Sequence, residues 1–203
     1  MIKPEYKNIF PTPVQITKLD LDINKIIEFC HDMRNKDTKG VKISNIEGWQ
    51  SDNIVKETNS EFVKLKDKIE EMANMYHEEM CFKKNLTQKI HNIWININPK
   101  GSSNEWHEHP HSVLSGSFYV KVNTPIVFRH PYSDINNYFW SERMIDKLHE
   151  VNAGRWGLIP KVNDLIMFPP WILHKVAINE EDVDRISISF NTLAHYINNE
   201  KEN

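Results

Sequence analysis

KIHNIWININ, residues 89–98, alternates His91, Ile93, Ile95 and Ile97 with Asn92, Trp94 and Asn96. Successive side chains of a strand point to opposite faces, so this stretch reads as a β-strand with one apolar and one polar face. SVLSGSFYVKV (112–122) repeats the pattern, setting Leu114, Phe118, Val120 and Val122 against Ser115, Ser117, Tyr119 and Lys121. RISISFN (185–191) sets Ile186, Ile188 and Phe190 against Arg185, Ser187, Ser189 and Asn191. An antiparallel sheet with one wet side would account for such alternation. Solvated faces tend to be rich in lysine and glutamate, however, whereas these carry Ser, Asn, Tyr, Trp and a buried-looking Arg. That composition suits the wall of a cavity. The expectation is a mainly β sandwich or small barrel, open at one end.

Ahead of these strands the period changes. LDINKIIEFCHDMRN (21–35) places Ile23, Ile26, Ile27 and Cys30 at helical spacing, with Asp22 or Asn24 as the N-cap. SEFVKLKDKIEEMANMYHEEM (60–80) carries a second stripe of Phe62, Leu65, Ile69, Met72 and Met75. The two helices are expected to back the barrel. The turn-rich SNIEGWQSDN (44–53) lies between them. No linker divides the 203 residues, so one domain is expected, helical over about 1–86 and β over about 87–194.

Composition narrows the function. A net charge of −3 with dispersed lysines and arginines gives no reason to expect nucleic acid as a partner. No apolar run reaches the length of a signal peptide core or a membrane span, which predicts a cytoplasmic protein. Cys30 and Cys81 are read as two reduced, buried thiols. The oligomeric state stays open, a homodimer included. Of the ten histidines, four fall within residues 107–130.

The chemistry begins at NEWHEHPHS (104–112), with PPWILHKV (169–176) following. If 106–109 is extended, His107 and His109 point the same way and Glu108 the other. Two imidazoles on one face plus His174 from a distant strand make a set of three metal ligands with open positions beyond them. Arg185 follows His174 by eleven residues, and Ser187 shares its face. A guanidinium fork grips a carboxylate bidentately and a neighbouring hydroxyl adds a third hydrogen bond. The competing partner for Arg185 is an acid of the chain itself, Asp164 or Asp182.

Those segments carry a resemblance. FPTPVQ (10–15), GWQS (48–51), HEHPHSVLSGSFYV (107–120) and LIMFPPWILHKV…DRISISFN (165–191) together resemble the 2-oxoglutarate/Fe(II) oxygenases of marine bacteria and their phages, within the prolyl-hydroxylase-like superfamily. The likeness runs from about residue 9 to 193. It implies a double-stranded β-helix (the jelly-roll or cupin-like barrel), Fe(II), 2-oxoglutarate and O₂, and hydroxylation of a small-molecule or peptidyl substrate. On that reading His107, His109 and His174 are the catalytic metal centre, and Arg185 and Ser187 bind 2-oxoglutarate. Tyr119, Ser115 and Asn96 are further candidates for that contact, and Trp94 and Asn191 for the pocket wall. One position departs from the common pattern of His, carboxylate and distal His: His109 stands where the acid would be. Glu108 could supply a carboxylate if the strand bulged there, and His111 is another candidate. His130 is read as structural, and 131–156 as a lid or binding loop. A cupin-like dioxygenase or isomerase without 2-oxoglutarate, and a non-catalytic metal-binding barrel, are the alternatives.

Overall fold

The alternation that opens the sequence argument sorts side chains to two different interiors. A computed structural model describes residues 2–197. In chain order the elements are β1 (Gln15–Lys18), α1 (Ile23–Lys36), β2 (Asn45–Ile46), β3 (Trp49–Gln50), α2 (Ser60–Glu79), β4 (Leu86–Asn98), β5 (Ser103–His107), β6 (Leu114–Lys121) and β7 (Ile126–Arg129). They continue with α3 (Ser133–Phe139), β8 (Arg155–Leu158), β9 (Asp164–Phe168), β10 (His174–Val176) and β11 (Arg185–Tyr196). A six-stranded sheet has the order β1-β9-β6-β11-β4-β3, and a five-stranded sheet the order β2-β5-β10-β7-β8. Every pairing is antiparallel. This arrangement is a double-stranded β-helix, or jelly roll.

The apolar faces of β4, β6 and β11 turn outward, away from the second sheet. Ile93, Ile95, Ile97, Phe118, Ile186, Ile188 and Phe190 form one core with Ile26, Phe29 and Cys30 of α1 and Phe62, Leu65, Ile69, Ala73 and Tyr76 of α2. The helices therefore cover the larger sheet, and its polar face is left for the barrel interior. A second, smaller core of Tyr119, Ile126, Phe128, Ile166, Phe168 and Ile172 fills part of the space between the sheets. Asp22 caps α1 by accepting from the Lys25 amide, and Asn59 caps α2 by accepting from Glu61 and Phe62.

Three details differ from the sequence expectation. Met75 is 53% exposed, because the buried stripe of α2 passes through Ala73 and Tyr76 instead. Cys30 is a buried thiol as expected, but Cys81 is exposed at the end of α2. The N-terminal part also contributes three short strands, of which β2 joins the five-stranded sheet and β3 the six-stranded one. The segment 44–53 thereby crosses from one sheet to the other, tied down where the Trp49 indole donates to the Asp37 carbonyl at 2.7 Å. Runs of two to four residues are too short to show a period. No helix among the described residues is long and apolar enough to cross a membrane.

Candidate active site

His107 is the last residue of β5, His174 the first of β10, and the two are register partners. Between them and the next pair, Val176 with Asn104, β5 uses three residues where β10 uses two. That bulge increases local twist at the strand end and re-aims its side chains. His109 lies beyond β5, in a loop docked where its amide donates to the Pro170 carbonyl at 3.0 Å. Pro170 belongs to the turn that leads into His174, so one turn orients two of the three rings. The His107 and His174 ring centroids are 4.3 Å apart, and His109 is 5.1 Å from each. One ring nitrogen from each of the three lies within 4.8 Å of the others, a spacing that a single metal ion would bridge.

The tautomers follow from the neighbours. His107 Nδ1 is 2.7 Å from the Glu105 carbonyl, and His174 Nδ1 is 2.9 Å from the Ile172 carbonyl. A carbonyl only accepts, so each Nδ1 carries the proton and each Nε2 keeps its lone pair for a metal. Burial holds the His174 pKa down to about 3 and that of His109 to about 4, and the repulsion that a second proton on the neighbouring His107 ring would bring lowers both further. His107 is lowered by burial as well, which its bond to the Glu105 carbonyl opposes. Three neutral imidazoles converge, the protonation state that a metal requires. Phe168 and Phe128 pack on the His174 ring at 4.7 and 6.1 Å and keep it from turning.

The alternatives for the third position fall elsewhere. Glu108 is exposed at the cavity and stands outside the histidine group. His111 sits in an exposed turn with φ 66°.

A cavity of about 250 Å³ joins the three histidines to Arg185, Ser187 and Tyr119. Arg185 is 2% exposed, and one of its Nη groups donates to Ser187 Oγ at 3.1 Å. Its Nε has no hydrogen-bond partner, nor has the buried Tyr119 hydroxyl, whose ring lies 5.3 Å from the guanidinium carbon. Both acids that could have neutralised Arg185 are engaged elsewhere. Asp182 pairs with Lys100 at 2.7 Å, and Asp164 accepts from the Lys161 amide at 2.7 Å. Burial lowers the Arg185 pKa and the adjacent Tyr119 opposes this, but a guanidinium stays charged near neutrality. A buried cation with two unpartnered donors beside it fits a carboxylate ligand. The donor sets present thus suit both a divalent transition metal and 2-oxoglutarate.

The remaining sequence candidates are distributed around this cavity. Asn96 lines it, its amide donating to Ser189 Oγ at 3.1 Å while its Oδ1 has no partner. Trp94 lines it with its ring 5.8 Å from that of His109. Ser115 reaches the cavity only indirectly, through a 2.7 Å bond to the Oδ1 of Asn191, which is on the wall. His130 is held in a turn, its Nδ1 accepting from the Tyr132 amide at 3.0 Å. Within 131–156 the chain forms α3, with Tyr138, Phe139 and Trp140 exposed. Ser44 and Gln50 also line the cavity. No period pointed to them, because they lie on or beside strands of two residues.

Residues 92–191 match the family described as "Putative 2OG-Fe(II) oxygenase". No curated protein matches at the level of sequence. Among solved structures, the prolyl-4-hydroxylase of Pseudomonas putida aligns with a TM-score of 0.59 at 9% identity, over 89% of this chain and 92% of its own. HygX from Streptomyces hygroscopicus, solved with nickel and 2-oxoglutarate, aligns at 0.57 and 9% identity over 89% and 82%. SnoN, an epimerase of nogalamycin biosynthesis solved with Fe³⁺ and α-ketoglutarate, aligns at 0.61 and 11% over 95% and 88%. At such identities the structures speak for the fold, and the family match, which spans all six residues of the two donor sets, speaks for the class. Residues 92–191, about half of the chain and the part that carries both donor sets, are those of the 2OG-Fe(II) oxygenase family, whose members depend on iron and 2-oxoglutarate.

Proposed function

We propose that the chain is a hydroxylase, using Fe(II) held by His107, His109 and His174 and 2-oxoglutarate held by Arg185 and Ser187 to oxidise an aliphatic C–H of a small-molecule or peptidyl substrate. The observation that carries the reading is the sharing of one cavity by three neutral imidazoles and a buried guanidinium that no acid of the described chain neutralises. Bound there, the metal and co-substrate supply O₂ activation coupled to the oxidative decarboxylation of 2-oxoglutarate to succinate.

The protein's own part is orientation and exclusion of water. The Glu105 and Ile172 carbonyls fix the two imidazole tautomers. Ser187 steadies one arm of the Arg185 fork, and the Tyr119 hydroxyl is free to donate to the same carboxylate. The Ser117 and Ser189 hydroxyls, 2.6 Å apart, share one hydrogen bond, and Asn96 Oδ1 is an open acceptor in the cavity. The test is anaerobic addition of Fe(II) and 2-oxoglutarate, read by the weak visible charge-transfer band of the ternary complex, followed by O₂ and succinate measurement. No band and no O₂-dependent succinate would leave the cupin-like alternative, in which Arg185 holds the carboxylate of the substrate itself.

A further inference from the structure

Assigning the three histidines to metal and Arg185, Ser187 and Tyr119 to 2-oxoglutarate leaves most of the cavity wall unused. That remainder holds no lysine or arginine and a single acid, Glu108. Glu108 is exposed where it meets the cavity, and it enters no ion pair among the described residues. Once a co-substrate carboxylate neutralises Arg185, Glu108 is the one uncompensated side-chain charge facing the cavity.

The neutral part of the wall is also specific in its chemistry. Asn92 and Asn191 are register partners on the cavity face of β4 and β11. The ladder bulges directly after this pair, where His91 is the extra residue. Asn92 Oδ1 is buried without a partner. Asn191 is 6% exposed, and its carbonyl oxygen is occupied by Ser115, which directs its NH₂ hydrogens to other acceptors. An open acceptor beside an open donor complements an amide, and the Trp94 indole on the same face of β4 offers a flat apolar platform next to them. Such a wall offers no cation to a carboxylate or phosphate, whose burial without one is costly.

We propose that Glu108 is a substrate-binding residue and that the enzyme takes substrates bearing a cationic nitrogen, ammonium or guanidinium, attached to an amide-containing body that rests on Asn92, Asn191 and Trp94. This deepens the hydroxylase reading and rests on it.

The experiment uses the full chain loaded with Mn(II) and saturating 2-oxoglutarate, whose own affinities are measured first. Three probes share one scaffold: the Nα-acetyl methylamides of lysine, norleucine and glutamate. Binding is read by Mn(II)-induced broadening of the probe proton resonances, which reports both affinity and nearness to the metal. Lysine is expected to bind about fivefold tighter than norleucine, the size of a solvent-accessible ion pair, and glutamate weakest. In Glu108→Gln the lysine and norleucine probes are expected to bind equally, with Mn(II) and 2-oxoglutarate affinities unchanged. Three equal affinities, no broadening of any probe, or a lysine preference that survives in Glu108→Gln would each overturn the proposal. Loss of Mn(II) in Glu108→Gln would also overturn it, by making Glu108 a metal ligand. Failure of Mn(II) or 2-oxoglutarate to bind the native chain would instead strike the hydroxylase reading beneath it.

Discussion

Arg185 heads the fully buried side chains by volume, ahead of Tyr119 and the buried phenylalanines. Desolvating a guanidinium without an acid partner is tolerated only if something else repays it, and an anionic ligand does so each time it binds. Arg185→Lys keeps the charge but loses the fork that Ser187 steadies. We expect 2-oxoglutarate affinity to fall by more than tenfold, about 1.4 kcal/mol, in a titration of the Mn(II) form. Unchanged affinity would remove Arg185 from the site. The histidines make a second prediction. Their folded pKa values lie below that of a free imidazole, with His109 near 4 and His174 near 3. Above about 6.5 folded and unfolded chains both hold these rings neutral. As pH drops from there toward 4 the unfolded chain takes up protons that the folded one refuses, so stability of the metal-free protein declines. Metal affinity is expected to stay nearly flat from pH 8 to about 5 and to fall below that. His109→Asp should match the native slope above pH 5 and diverge beneath it. A drop of metal affinity through pH 6–7 would mean that the rings titrate as exposed imidazoles.

The strands and helices impose their own demands. Gly116 of β6 lies where an added Cβ would meet the Ile166 carbonyl and the Phe190 ring, each at 2.6 Å. One is backbone of the paired strand β9 and the other belongs to the core beneath the helices, so neither yields readily. Gly116→Ala is expected to cost about 1–3 kcal/mol of stability, seen as a lower urea midpoint with unchanged slope. Asn59→Ala removes an acceptor for two amides of α2 and should cost about 1 kcal/mol, while Mn(II) affinity stays as it was. The far end of α2 is tied down more elaborately. His77 Nδ1 lies 3.0 Å from Gln88 Nε2, its Nε2 lies 3.0 Å from the Lys83 carbonyl, and Gln88 Oε1 accepts from Thr192 at 2.8 Å. An imidazole with one donating and one accepting nitrogen thus joins helix, β4 and β11 in a closed network, which explains why a buried histidine here carries no chemistry.

For the molecule as a whole, ligands should add stability, because both donor sets exist only in the folded chain. The rings come from two separate stretches, 107–109 and 174, and Arg185 from a third. At about a hundredfold excess over Kd a ligand of the native state contributes about 2.7 kcal/mol, or about 5–10 °C in the melting temperature of a chain this size. We expect Mn(II) and 2-oxoglutarate each to give an increment of this kind in a thermal melt. Arg185→Ala should keep the Mn(II) increment and lose that of 2-oxoglutarate. A variant that keeps both would show that 2-oxoglutarate binds elsewhere.

Periodicity in β4, β6 and β11 settled which side chains face helices and which face the cavity, because a two-residue repeat leaves a strand residue only two directions. It likewise placed Phe62, Leu65 and Ile69 on the buried side of α2. Arg185 and Ser187 were legible together for the same reason. The segment from Glu105 to His111 was not, because its geometry depends on partners distant in sequence. The bulge in β5 exists only against β10, and the loop bearing His109 is aimed by a bond to Pro170, 61 residues away. Alternation favoured His109 but left Glu108, through a bulge, and His111 as alternatives, and it is the tertiary contact that directs the His109 ring inward while Glu108 and His111 stay exposed. Cys81, Met75 and the short strands β1 to β3 belong to the same class, since burial and edge pairing are properties of the neighbours that a residue meets after the chain has folded.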